Sequence, residues 1–157
     1  IFFLISFFFN KISYSAGTDN ILQEPPKSSN YKLATKAIER AKKYERKKKL
    51  KKAKINYEKA IEFLHKSNIE KPSDADTMNY LGFATRKLGD FENAEIYYLL
   101  GLEIEPNHNG INEYLGELYL STNRIDKAKE RLEVLKNCKC KEFKKLKNSI
   151  KLGITKY

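Results

Sequence analysis

Histidine, cysteine, glycine and proline are all scarce in this sequence, and the shortages close off several kinds of chemistry. Its 157 residues include two His, two Cys, seven Gly, four Pro and no Trp. His65 and His108 lie far apart, and neither has a neighbouring ligand at the spacing a metal site requires, so no metal and no cofactor is expected. His108 belongs to the helix-start turn Pro106-Asn107-His108, and His65 falls at a predicted helix end, where a partly charged imidazole suits the dipole. Gly82, Gly89, Gly101, Gly110 and Gly116 are too widely spaced to cradle a phosphate. There is no nucleophile elbow, and Glu103 and Glu105, two apart on a helix, point in different directions. An enzyme acting on a small-molecule substrate is therefore not expected. Stretches of alternating Val, Ile and Thr are missing too, which predicts an all-α chain.

What the sequence does have is charge, unevenly placed. Between Lys27 and Lys54 there are thirteen Lys or Arg residues against two acids, Glu39 and Glu45, within a formal net charge of +11. From Ala75 to Glu142, twelve acids face nine bases. A basic first third beside a mildly acidic middle can contact an anionic surface. Only Tyr31, Tyr44 and Tyr57 fall near the basic run, too few for the stacking platforms of single-strand binders, so no nucleic acid partner is expected.

The first nine residues, Ile1 to Phe9, are apolar apart from Ser6 and end at Asn10-Lys11. The run is too short to span a bilayer, which takes about 20 apolar residues as a helix, and it has the length of a signal-peptide core. The small residues Ser13, Ser15, Ala16 and Gly17 follow, with a cleavage point after Ser15 or Ala16. No Cys follows the run, which argues against a lipid-anchored form. Residues 1–16 are thus expected to be a signal peptide that exports the chain to the bacterial periplasm. The alternative is an uncleaved anchor in the inner membrane. Residues 17–30, with Pro25-Pro26 and Ser28-Ser29, read as a flexible linker.

The remainder repeats itself. Leu81-Gly82 recurs as Leu115-Gly116 and Ala94 recurs as Ala128, each 34 residues later. The glycines and alanines allow close helix approach, and the large residues Tyr98 and Leu132, four after each alanine, fill the groove between helices. Gly89-Asp90 and Asn123-Arg124 break the chain between paired helices, and Glu105-Pro106-Asn107 stops one helix and starts the next. A weaker first copy carries Ala53, Tyr57 and Ala60, with Ala53 lying 41 residues before Ala94. This implies an insertion of about seven residues, and Ser67 to Ser73 is expected to form it as a longer loop, with Pro72-Ser73-Asp74 capping the helix that follows. Three repeats are about the minimum for a stable stack. Phe143, Leu146 and Ile150 then mark a last helix that covers the end of the stack.

From about Asp74 to Leu152 this pattern resembles the tetratricopeptide-repeat (TPR) proteins. The phrase running from Asn79-Tyr80-Leu81-Gly82-Phe83 through Lys87-Leu88-Gly89-Asp90-Phe91 and Pro106-Asn107-His108 to Asn112–Tyr119 is similar to that of small exported TPR proteins of alphaproteobacteria. The resemblance implies a TPR helical-hairpin solenoid of about three repeats, near 34–67, 75–108 and 109–142. They make up a domain of residues 31–152 that includes a capping helix over 141–152, and residues 153–157 form a tail. It also implies a concave groove lined by the first helix of each repeat. The exposed groove positions would be Thr35, Ile38, Lys42 and Glu45, then Asp76, Asn79, Phe83 and Arg86, then Gly110, Glu113, Glu117 and Leu120. Asn79 can both donate to and accept from a peptide backbone, and Arg86 can pair an acid. Glu113 and Glu117 would repel a carboxylate, so a basic or mixed peptide is expected.

Cys138-Lys139-Cys140 stands apart from the repeat pattern. A bridge across one residue closes a very small ring and needs a non-helical backbone. The alternatives are a labile redox pair, an intermolecular bridge, or two inert thiols; thioredoxin-type spacing is absent. The leading expectation is a periplasmic, non-catalytic adaptor that binds a protein or peptide segment in its groove. Its rivals are a scaffold resting its basic first repeat on anionic lipid, and a thiol-redox protein using Cys138 and Cys140.

Overall fold

In the computed structural model, which describes residues 27–153, a Schellman turn recurs at three places and divides the chain into helical hairpins. Helix α1 (Ser29–Arg46) turns into α2 (Leu50–Glu70), α3 (Ala75–Lys87) into α4 (Phe91–Ile104), and α5 (Asn109–Ser121) into α6 (Ile125–Val134). At each turn one residue adopts positive φ: Lys48 at 55°, Gly89 at 90° and Asn123 at 58°. The next amide then reaches back to a carbonyl of the last helical turn: Lys49 N to Tyr44 O, Asp90 N to Thr85 O and Arg124 N to Tyr119 O. A single 3-10 turn at Leu135–Asn137 leads from α6 to α7 (Lys141–Leu152). No strand occurs among the described residues, and the architecture is an all-α solenoid of stacked hairpins. The expected signal segment 1–16, residues 17–26 of the expected linker and residues 154–157 of the tail lie outside the described residues. Ser29 and Asn30 are already helical, because Ser28 caps α1 by accepting from the Tyr31 amide.

The seven-residue insertion is helix, not loop. Helix α2 has 21 residues and its counterpart α4 has 14. Seven residues make about two turns at 3.6 per turn, so the stripe Tyr57, Ala60, Leu64 and Ser67 runs on in phase and stays buried. Of the expected loop, Ser67 to Glu70 continue α2, with Ser67 buried, and only Lys71 to Ser73 lie outside the helix. His65 consequently lies inside α2 rather than at its end, edge-on to Tyr97 with ring centroids 6.1 Å apart.

Small residues set the helix separations. A Cβ on Gly82 would stand 2.5 Å from the Tyr98 ring, which is how α3 and α4 come into close contact. On Gly116 a Cβ would meet Leu146 of α7 at 2.5 Å, so the side chain seated on that glycine is Leu146 and not Leu132, which is half-buried on α6. The capping helix is therefore built into the third repeat. Cys138 and Cys140 are joined by a disulfide at the corner before α7. Lys139, between them, has φ 51°, which takes the bridge out of helical geometry.

Tyr98 is fully buried and has no room to retreat. Gly82→Ala is therefore expected to destabilise the fold by about 1–3 kcal/mol through overpacking, read as a lowered urea midpoint at unchanged slope.

Candidate functional site

The first helices of the three hairpins and α7 enclose a cleft of about 500 Å³. Lys42, Glu45 and Arg46 reach it from α1, Phe83 and Lys87 from α3, Tyr114 and Glu117 from α5, and Lys145 from α7. Its floor is aromatic. Phe83 packs against Tyr114 with centroids 5.0 Å apart and meets Tyr57 edge-on at 6.0 Å. The Lys42 ammonium stands 4.4 Å above the Phe83 ring, and the Arg86 guanidinium lies 5.6 Å from the Tyr114 centroid.

The carboxylates of this cleft already have partners. Arg86 Nη2 donates to Glu117 Oε2 at 3.1 Å, and both side chains are essentially buried. Glu113, also buried, pairs with Lys145 at 3.1 Å; burial raises its carboxyl pKa even though the Lys145 ammonium pulls it down. Glu45 accepts from the Tyr57 hydroxyl at 2.9 Å and pairs with Lys87 at 3.1 Å. Lys42 and Arg46 have no carboxylate partner within ion-pair distance among the described residues. The Lys42 pKa is lowered, first by burial and then by the nearby Lys145 charge, the signature of a cation without enough compensation. The cleft thus carries surplus positive charge, opposite to the sign that Glu113 and Glu117 suggest when read alone.

The sequence-derived positions divide into those that meet here and those that do not. Lys42, Phe83, Glu113 and Glu117 line the cleft, with Arg86 beneath them. However, Phe83, Arg86, Glu113 and Glu117 are buried rather than exposed, because each hairpin stacks on the next and α7 closes over α5. Ile38 is core, and Leu120 packs half-buried against the buried cluster that includes Tyr98, Ile111, Leu115 and Leu118. Asn79 is buried close to Gly110, where a Cβ would come 2.9 Å from its amide nitrogen. Its side-chain oxygen is enclosed without a hydrogen-bond partner among the described residues, so it offers a peptide nothing unless the side chain turns. Arg46, Lys87, Tyr114 and Lys145 were missed. Lys87 could have been found four residues after Phe83 on the same helix face, whereas Lys145 comes into place only through the docking of α7.

Asp76 belongs to a different cluster, at the start of α3. Its carboxylate meets Lys27 at 3.0 Å and His108 Nε2 at 3.0 Å. Those bonds, that to His108 first, hold its pKa down to about 2. His108 is raised above its ordinary value: burial pulls it down, but the bond and charge of Asp76 outweigh that. Nδ1 of the same ring accepts the Ile111 amide and caps α5, so full protonation would serve Asp76 at the expense of the cap.

Residues 75–108 match the family model described as a tetratricopeptide repeat. No curated relative matches the chain. Among solved structures, the Arabidopsis OM64 TPR domain is similar at 18% identity and TM-score 0.51, over 80% of this chain and 100% of that one. The first TPR of Spaghetti (RPAP3) bound to the HSP90 peptide SRMEEVD is similar at 19% identity and TM-score 0.52, over 77% and 95%. The Yersinia enterocolitica type III secretion chaperone SycD in complex with a peptide of the translocator YopD aligns at 16% identity and TM-score 0.55, over 76% and 87%. At these identities the likeness is one of fold, and the fold is a TPR solenoid.

Two outcomes follow. Glu117→Ala should cost about 3–5 kcal/mol by removing the carboxylate that pairs the buried Arg86 charge, while the double variant Arg86→Met, Glu117→Leu should be neutral or stabilising; urea unfolding of both distinguishes them. Asp76, with a depressed folded pKa, adds stability above the ordinary carboxylate range, and that stability is lost as pH falls towards 2. The stability difference between wild type and Asp76→Asn should therefore shrink on acidification from pH 4 to pH 2, read as urea midpoints.

Proposed function

We propose that this chain is a non-catalytic scaffold holding an extended segment of another protein in the cleft between α1, α3, α5 and α7, and that the segment carries an acidic side chain. The observation that carries this is the half-buried Lys42 ammonium, poised over an aromatic floor without a carboxylate, while each carboxylate of the cleft is already paired. A charge held this way gains more from an incoming anion than a solvated surface lysine does. This replaces the basic or mixed peptide expected from Glu113 and Glu117, whose charges Lys145 and Arg86 neutralise. Support also comes from similar folds: one carries the acidic peptide SRMEEVD and another a peptide of YopD. The setting we propose is the periplasm, on the strength of the Ile1–Phe9 run and the small residues after it, the plan of small exported TPR proteins.

An array of immobilised peptides matched in hydrophobicity and differing in charge tests the cleft. Acidic peptides should bind best, and Lys42→Glu with Arg46→Glu should weaken them about tenfold or more, the value of a charge-assisted hydrogen bond. A preference for basic peptides, or acidic binding untouched by the double variant, would refute the reading.

A further inference from the structure

The tip of the first hairpin concentrates charge in a way the cleft does not need. Lys47, Lys48, Lys49, Lys51 and Lys52 are all exposed, and none has an ion pair among the described residues. They surround Leu50, which is 68% exposed. The Schellman turn places them there: with Lys48 in the left-handed region, α1 ends and α2 begins within three residues. Six consecutive side chains, Lys47 to Lys52, are thus gathered at one crown. A lysine is less favourable than glycine in the left-handed region, so the crown forms against a local penalty. Beside Leu50 opens a mainly apolar cleft of about 350 Å³, floored by Ala53, Tyr57 and Leu88 and rimmed by Lys51, Lys54 and the Lys87–Glu45 ion pair.

A leucine standing clear of the fold among unpaired lysines has one natural counterpart, a surface with phosphates outside and hydrocarbon just beneath. We propose that the α1–α2 tip is a docking surface for anionic lipid bilayers, with Leu50 entering below the head groups while the flanking lysines meet lipid phosphates. Charge complementarity selects the partner: each lysine near an anionic leaflet adds roughly a fivefold gain in binding, and burying the leucine adds roughly tenfold. A polynucleotide would satisfy the lysines but leave Leu50 in water. Of the rings beside the tip, Tyr57 is buried and Tyr44 is half-buried with Lys52 over its face at 5.8 Å, so neither offers a stacking platform. The contact is peripheral, since no helix among the described residues is long and apolar enough to cross a membrane.

The full chain, sedimented with vesicles of phosphatidylcholine alone or mixed with phosphatidylglycerol, tests this. Binding should require phosphatidylglycerol and weaken with salt. Replacing Lys47, Lys48, Lys51 and Lys52 by Gln should reduce it roughly 100-fold or more, and Leu50→Gln roughly tenfold. Neutralising Lys127, Lys129, Lys144 and Lys147 instead should leave most of the binding. Because the sequence contains no tryptophan, Leu50→Trp provides a single reporter whose emission should shift to the blue on phosphatidylglycerol vesicles. Vesicle binding that survives in both tip variants would overturn the proposal and move attachment elsewhere, including to Ile1–Phe9. So would an unmoved emission, or tip-dependent binding of a mixed-sequence oligonucleotide with no vesicle binding.

Discussion

The ion pair between Arg86 and Glu117 is the interaction on which the interior face of the solenoid depends. Two opposite charges, both essentially out of water, link α3 to α5 at 3.1 Å. Desolvating either one alone would cost several kcal/mol, so the second and third hairpins must stack in the register that brings them together. That register also sets Phe83 against Tyr114, and the aromatic floor is its consequence. Because this pair cancels at the base of the cleft, and Lys87 and Lys145 cancel Glu45 and Glu113 above it, the remaining field comes from Lys42 and Arg46.

This cancellation explains why the cleft's electrical character could not be read from position alone. Glu113 and Glu117 are first-helix acids facing a groove, and counted that way they make it negative. The countercharges come from Arg86, one repeat earlier, and Lys145, on a helix outside the repeat pattern. Both are tertiary facts. By contrast, the hairpins themselves were legible, since close-packed glycines, left-handed turn residues and capping side chains each leave a residue-type signature at a fixed offset. Leu81-Gly82 with Leu115-Gly116 and Ala94 with Ala128 were sufficient to set the period.

The first repeat shows where such signatures fail. A polar stretch with a proline at Pro72 looks like loop by composition, yet two extra helical turns preserve the phase of the buried stripe, and Leu64 and Ser67 continue it. Seven residues are nearly invisible to a periodicity of 3.6, so the helix absorbs them without exposing anything apolar. Exposure was misjudged for a related reason: a helix face that would be open in an isolated hairpin is covered by its neighbour. Asn79 and Phe83 are groove-facing in register and buried in fact.

The seating of Leu146 on Gly116 has a bearing on how such a stack ends. A repeat solenoid is in principle an open polymer, since the face that receives each new hairpin is regenerated by the hairpin just added. Here the receiving face of the last repeat is filled by the chain's own α7, and its corner is closed by the Cys138–Cys140 link. Head-to-tail growth needs that face vacant. The same helix that contributes Lys145 to the cleft thus covers the outer face of the third hairpin, so one docking event shapes the cleft and shields that face.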